Sequence, residues 1–224
     1  MGQLAVATPP DERIELSYAD YLALTGEQNQ LLEWVNGKVI THIPPKPRHQ
    51  EMVGFLFALL YLFVRFHRLG RLYTAPMEMR IEQLQVSREP DILFVASASL
   101  TRITDKRLDG PADLIVEIVS DDSVARDRAD KFYEYQEAGV QEYWIVDPRP
   151  GYERADFWVL DNRGKYRPVA LTDGIYRSTV LPGFWLQVDW LWRSDLPDPL
   201  LLFAEIAALP ASVIDSLNAL TQEL

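Results

Sequence analysis

Two apolar segments near the middle of the chain each carry one acidic residue, and this pattern restricts the fold more than any other feature. Asp91 directly precedes the apolar residues 92–95, and Glu117 interrupts the apolar residues 114–119. Short apolar runs of this kind are typical of buried β-strands. An ionised carboxylate in a buried strand costs several kcal/mol unless a cation, a metal ion or hydrogen bonds compensate. The fold must therefore bring such groups to both acids, and the helix that follows carries Lys131.

The order of the predicted elements indicates the fold class. The pattern predicts strands at residues 72–75, 78–82, 91–96, 114–119 and 142–146. An apolar helix precedes these strands, and a second helix, which ends near Ala138, separates the last two. This order predicts an α+β (mixed α/β) fold, in which helices flank a mixed β-sheet.

Further elements are added at both ends of this central region. Asn36-Gly37 lies between two apolar alternations and predicts a β-hairpin with a type I′ turn. A second hairpin is predicted around residues 161–164, and two C-terminal helices at residues 200–209 and 212–220. We expect a flexible tail over residues 1–13, one domain over 14–195 and a helical extension over 196–224.

The composition bounds the class of protein. Hydrophobic residues make up 48% of the 224 residues, which is enough for a substantial core, and the formal net charge is -11. This charge argues against nucleic-acid binding through bulk positive charge, although a local basic cleft or a bound cation is compatible with it. The chain has no cysteine, so disulfides and thiolate metal sites are excluded and a cytoplasmic location is expected.

The longest uncharged apolar run, residues 52–64, lies within a predicted helix of residues 49–66. A bilayer-spanning helix needs about 20 apolar residues, so the run is too short and no membrane partner is expected. A helix that is apolar on all sides is buried on more than one face. A second subunit would cover one of these faces, and we expect a homodimer.

The two acids and the lysine fit the chemistry of phosphodiester hydrolysis. Mg²⁺ prefers oxygen ligands and usually takes only one or two protein carboxylates. Pairing of the two strands would bring Asp91 and Glu117 close enough to share one Mg²⁺ or Mn²⁺, which would activate water and neutralise phosphate charge. A nearby lysine would orient the water or stabilise the developing charge.

This combination resembles the PD-(D/E)xK nuclease superfamily, with one departure. In that superfamily the lysine stands two residues after the second acid, and this chain has Val119 there. Lys131 is the obvious substitute, because the long, flexible stem of lysine can reach the strand ends from the following helix.

A succession of segments is similar to the Uma-type putative restriction endonuclease family. The segments are residues 33–38, His49 at a helix start, and residues 90–95, 113–120, 127–132 and 139–148. The resemblance implies a restriction-endonuclease-like fold for the domain of residues 14–195 and a metal-dependent endonuclease that hydrolyses DNA. It also implies Asp91 and Glu117 as metal ligands, Lys131 as the catalytic lysine, and Glu33 and His49 as supporting site residues.

Simpler interpretations of these residues stay open at this point. Lys131 could be a solvated helix residue paired with Asp127 four positions earlier. Glu33 could be a cross-strand partner of Lys38 in the hairpin, and His49 could simply begin a helix. Two other functions also stay open, a catalytically silent interaction protein that keeps the nuclease fold and a nuclease that acts on RNA.

Overall fold

The computed structural model describes residues 14–25, 32–41, 45–121 and 123–222. The strands and helices in chain order are β1 (Ile14–Glu15), α1 (Tyr18–Thr25), β2 (Leu32–Val35), β3 (Lys38–Thr41), α2 (Pro47–His67), β4 (Gly70–Thr74), β5 (Met79–Ile81), β6 (Val86–Arg88), β7 (Ile92–Ala96), β8 (Leu108–Asp109), β9 (Leu114–Ile118), α3 (Lys131–Ala138), β10 (Glu142–Asp147), β11 (Arg154–Leu160), β12 (Tyr166–Pro168), β13 (Ile175–Arg177), β14 (Trp185–Gln187), α4 (Pro199–Ile206) and α5 (Ala211–Gln222). The predicted tail, residues 1–13, lies outside the described residues.

The α+β prediction is confirmed, and the strands form two large sheets. Sheet one has the order β1-β3-β2-β6-β5-β8, and sheet two has the order β12-β11-β10-β9-β7-β4. Sheet two is mixed, because β9 and β10 are parallel while its other neighbours are antiparallel. Helix α3 lies in the β9–β10 connection, as a parallel pair requires a crossover. The sequence prediction missed five short strands, β1, β6, β8, β13 and β14.

The Asn36-Gly37 turn adopts the predicted conformation. Asn36 has φ 49° and Gly37 has φ 83°, which are the two positive values of a type I′ turn. The turn sets the register of β2 against β3, in which Glu33 lies opposite Ile40 and Val35 lies opposite Lys38. Glu33 is therefore not the cross-strand partner of Lys38.

Helix α2 packs its apolar side on sheet two and forms much of the main core. It buries seven side chains, Met52, Phe55, Leu56, Leu59, Leu60, Phe63 and Val64. The helix is longer than the uncharged run suggested, and in the described ranges it alone is long and apolar enough to cross a bilayer. Core helices of soluble proteins meet the same criteria, and the buried side chains belong to one cluster with β4, β7, β9 and β10.

The end of α2 and the C-terminal helices complete the frame around this core. Arg68, in the left-handed conformation at φ 54°, ends α2. Gly70 begins β4 at a place where a Cβ atom would lie 2.1 Å from the carbonyl oxygen of Val95. Both predicted C-terminal helices are present, and α4 contributes Leu202 and Phe203 to the main core.

Candidate active site

A cavity of about 480 Å³ opens between the first turn of α2, the start of β7 and the end of β9. Four of the five predicted site residues line it: His49, Asp91, Glu117 and Lys131. The fifth, Glu33, lies behind Lys131, with 3.6 Å between its Oε1 and the Nζ of Lys131. The fold thus brings together all five residues, which are spread over almost a hundred positions of the chain.

Asp91 is placed by the antiparallel pairing of β7 with β9. Ile92 lies opposite Val116, so the preceding residue, Asp91, stands beside Glu117. The Oδ2 atom of Asp91 accepts a hydrogen bond of 2.7 Å from the backbone N–H of Ile118. This bond fixes the carboxylate toward the cavity, and a fifth of the Asp91 side chain (19%) stays exposed.

Glu117 lies deeper, with only 4% of its side chain exposed. The hydroxyl of Tyr135 donates to its Oε1 over 2.7 Å, and the Nζ of Lys131 lies 2.9 Å from its Oε2. Burial raises the pKa of Glu117 from its ordinary value of 4.5 to about 8; the charge of Lys131 opposes this rise, and the neighbouring acids add to it.

Lys131 is the buried centre of a carboxylate cluster. Its Nζ atom lies 2.9 Å from Glu117, 3.3 Å from Asp127 and 3.6 Å from Glu33. Burial by itself lowers the pKa of Lys131, but the charges of these three acids outweigh it and raise the pKa well above its ordinary value. Lys131 therefore keeps its proton, and its charge opposes the larger effect of burial on the pKa of Glu117.

The local structure explains why a lysine at position 131 can reach the strand ends. A π-helical turn, Arg126–Asp130, directly precedes α3 and places Asp127 on the same side as Lys131. Val119, where the superfamily has its lysine, is buried and donates its backbone N–H to the carbonyl of Val146. Lys131 lines the cavity, and it also makes the ion pair with Asp127, four positions earlier, that the simpler interpretation predicted.

Glu33 connects Lys131 to a second buried cation that the sequence did not reveal. Its Oε2 accepts a 2.8 Å bond from Arg88 Nη1, and its Oε1 accepts a 3.2 Å bond from the N–H of Glu89. Arg88 uses its other two nitrogens for a bidentate pair with Glu134. Glu33 is thus fully enclosed by donors and holds Lys131 from behind.

His49 stands in the first turn of α2, where it faces Asp91. Its Nε2 atom lies 3.4 Å from Oδ2 of Asp91, and its Nδ1 atom is buried with no hydrogen-bond partner among the described residues. Burial lowers the pKa of His49, but the hydrogen bond and charge of Asp91 outweigh it, and the net pKa is raised. His49 thus both begins the helix and lines the cavity beside Asp91.

Two further acids at the cavity were not among the predicted site residues. Asp127 is buried, accepts from the hydroxyl of Ser123, and has a pKa that burial raises. Burial, together with the charges of Glu33 and Glu78, also raises the pKa of Glu89 to about 8. The spacing of four between Asp127 and Lys131 was visible in the sequence, whereas nothing local marked Glu89.

A sequence model of the Uma2 family, described as putative restriction endonuclease, matches residues 18–189. The match covers more than half of the chain. The chain belongs to the Uma2 family. Membership supports a nuclease and confirms the resemblance on which the site residues were assigned.

A solved structure of similar fold is a putative nuclease belonging to DUF820 from Anabaena variabilis ATCC 29413. The sequence identity is 17% and the TM-score is 0.61, with 77% of this chain and 96% of that chain covered. At this identity the likeness establishes the fold of this Uma2 member. No functionally curated protein matches the chain.

The donor set of this Uma2 protein fits a divalent cation. Four carboxylates line the cavity (Glu89, Asp91, Glu117 and Asp127), and Lys131 is the one permanent cation among its described lining residues. In the described ranges no group of three or more His, Asp or Glu side chains is arranged to hold a metal ion. Asp91 and Glu117 would be the two carboxylate ligands of the cation, and Mg²⁺ usually takes only one or two carboxylates from a protein.

Proposed function

We propose that this protein is a metal-dependent endonuclease that hydrolyses DNA phosphodiester bonds. Asp91 and Glu117 are the proposed ligands of Mg²⁺ or Mn²⁺, and Lys131 is the proposed catalytic lysine. The observation that carries the proposal is the 2.9 Å contact between the Nζ of Lys131 and the Oε2 of Glu117, in the cavity that Asp91 also lines. A lysine on a different element thereby takes the place that Val119 cannot fill.

The charge balance of the cavity supports a cation there. Four acids face one lysine, and burial raises the pKa of three of them, Glu89, Glu117 and Asp127. A buried carboxylate without a cation takes up a proton. A bound divalent ion would supply the missing positive charge, activate a water molecule and neutralise the scissile phosphate.

Each residue of the chain has a separate task in this proposal. Lys131 donates from Nζ to the attacking water or to a phosphate oxygen, which stabilises the charge that develops there. Glu33, Glu117 and Asp127 hold that amino group charged and in place. His49, next to Asp91 and with a raised pKa, is positioned to give a proton to the leaving oxygen.

The test is a plasmid-nicking assay combined with calorimetric titration of Mg²⁺ and Mn²⁺. Asp91→Asn and Glu117→Gln are expected to lose both metal binding and nicking, whereas Lys131→Met keeps metal binding and loses nicking. Glu137→Gln is the matched control, because Glu137 lies exposed on the same helix as Lys131. Undiminished nicking by Lys131→Met would refute the lysine assignment.

The same preparations separate the proposal from its two alternatives. A wild-type protein that binds neither metal ion and nicks no substrate would fit the catalytically silent interaction protein. A parallel panel of single-stranded DNA, duplex DNA and RNA of matched sequence tests the substrate, and metal-dependent cleavage of RNA alone would replace DNA by RNA.

A further inference from the structure

A second cavity, of about 310 Å³, adjoins the candidate active site, and we call it the flanking cavity. Its walls come from the start of α2, the segment after β9 and the turn between β10 and β11. It shares Pro45, His49 and Ser120 with the catalytic cavity. A nucleic-acid strand that is bound across the candidate active site can therefore continue directly into the flanking cavity.

The flanking cavity has an exposed aromatic ring with a cation beside it. Tyr152 is 67% exposed. The guanidinium carbon of Arg149 lies 4.9 Å from the centre of the Tyr152 ring. Pro148 and Pro150 line the cavity next to them and make this wall apolar. An exposed ring with an arginine beside it is a surface on which nucleobases stack.

Two cations of the flanking cavity share the exposed carboxylate of Asp121. Lys46 pairs with Asp121, and the two side chains are 79% and 61% exposed. Arg149 lies 3.6 Å from the same aspartate, and a bidentate pair with the buried Asp147 holds its guanidinium in place. Exposed ion pairs contribute about 0 to 1 kcal/mol, so Lys46 and Arg149 can exchange Asp121 for a phosphate group at little cost.

We infer that the flanking cavity binds a nucleotide adjacent to the scissile phosphate, with its base stacked on Tyr152 and its phosphate beside Lys46 and Arg149. The inference rests on the proposed function and deepens it. A base reaches the Tyr152 ring only after it has left its own helical stack. The favoured substrate therefore has an unpaired nucleotide next to the cleaved bond, as in a single strand, a flap or a frayed end.

Binding of fluorescein-labelled oligothymidylate tests this inference by fluorescence anisotropy, with Ca²⁺ in place of Mg²⁺. The wild type is expected to bind the single strand at least about 10-fold more tightly than the same strand annealed to oligoadenylate. Tyr152→Ala is expected to weaken single-strand binding by roughly 5- to 100-fold and to remove most of the preference, since stacking supplies about that factor for each base. Tyr152→Phe keeps the ring and restores the affinity.

Matched controls distinguish stacking from a general surface effect. Tyr133 is 64% exposed on α3 and lines neither cavity, so Tyr133→Ala leaves binding unchanged. Lys46→Gln and Arg149→Gln each lower the slope of log K against log salt concentration by about 0.7, the effect of one phosphate contact on a single strand. Equal affinity of Tyr152→Ala and wild type for the single strand would overturn the inference, and so would tighter binding of the duplex.

A substrate without a base separates this inference from the proposed function. Metal-dependent hydrolysis of bis(p-nitrophenyl) phosphate by the wild type, lost in Lys131→Met, reports the active site alone. If the wild type hydrolyses this substrate but Tyr152→Ala does not change oligonucleotide binding, the proposed endonuclease function stands and the inferred nucleotide site in the flanking cavity is refuted. If oligonucleotide binding depends on Tyr152 but the protein hydrolyses neither substrate, the nucleotide site is supported and the proposed hydrolytic function is refuted. A wild type that binds no oligonucleotide would overturn the inference.

Discussion

Replacement of Glu117 by glutamine is the sharpest test of the buried charge cluster. Glutamine has nearly the same shape as glutamate but cannot be charged, so Glu117→Gln removes the titration of this group together with its 2.9 Å ion pair to Lys131. The hydroxyl of Tyr135 can still donate to the side-chain oxygen, and Lys131 still has Asp127 and Glu33 within ion-pair distance. We expect the variant to fold and to differ from the wild type in the pH dependence of its stability.

The size of the pH-dependent change in the free energy of unfolding follows from the raised pKa of Glu117. Its pKa is 4.5 ordinarily and about 8 in the folded protein, so between these pH values the folded state binds more protons than the unfolded state. Stability must therefore fall as the pH rises through this window. The full difference corresponds to on the order of 5 kcal/mol, at about 1.4 kcal/mol for each pH unit.

The assay is urea unfolding in the presence of EDTA, at a series of values from about pH 5 to about pH 9, a range that spans most of this window. The free energy of unfolding of Glu117→Gln minus that of the wild type is expected to increase with pH by several kcal/mol, and by on the order of 5 kcal/mol at most. Contributions from Glu89 and His49, which do not contact Lys131, largely cancel in this difference. Glu137→Gln, an exposed change on α3, should show no such trend. If wild type and Glu117→Gln lose stability in parallel over the whole range, the reasoning about Glu117 is wrong.

Addition of Mg²⁺ extends the same experiment. A cation bound at Asp91 and Glu117 would compensate the buried charge, so the wild type gains stability, by about 2.7 kcal/mol at a free concentration of 100 times Kd. Glu117→Gln lacks one of the two proposed ligands and should gain far less. An equal gain in both proteins would place the metal elsewhere.

Substitutions in the buried ion-pair network and in the main core are expected to lower stability, and one substitution on the exposed side of α2 is expected to change the oligomeric state. Lys131→Met should lower the free energy of unfolding at neutral pH by about 3–5 kcal/mol, measured in urea, because it leaves buried acids without their cation. Arg88→Met should cost a similar amount, since Arg88 pairs with both Glu33 and Glu134, and circular dichroism at moderate temperature should show partial unfolding. Leu59→Ala should cost about 2–5 kcal/mol through a cavity in the main core, without loss of metal binding. Phe66 is 55% exposed on α2, and Phe66→Asp should convert the expected homodimer to a monomer in light scattering.

Local sequence patterns determined the helices and the longer strands, because local backbone preferences and apolar periodicity act over a few residues; the short strands were missed. The Asn36-Gly37 turn follows from the φ values that only such residues adopt readily, and the apolar run of α2 was too short to span a bilayer, which left a buried helix. The partition into two sheets could not be predicted, because β4 and β5 are separated by only four residues and yet belong to different sheets. Sheet membership is decided by pairing with distant strands.

The sequence by itself also determined which acids must find compensation: Asp91 and Glu117 stand at buried strands, and the Uma-type resemblance singled out Lys131, Glu33 and His49. Only the tertiary structure decided how the compensation works. Arg88 behind Glu33 and the hydroxyl of Tyr135 on Glu117 both arise from packing between elements. A pKa depends on burial and on charges within a few ångströms, and those neighbours come from segments far apart in the chain, so no local pattern in the sequence could have revealed them.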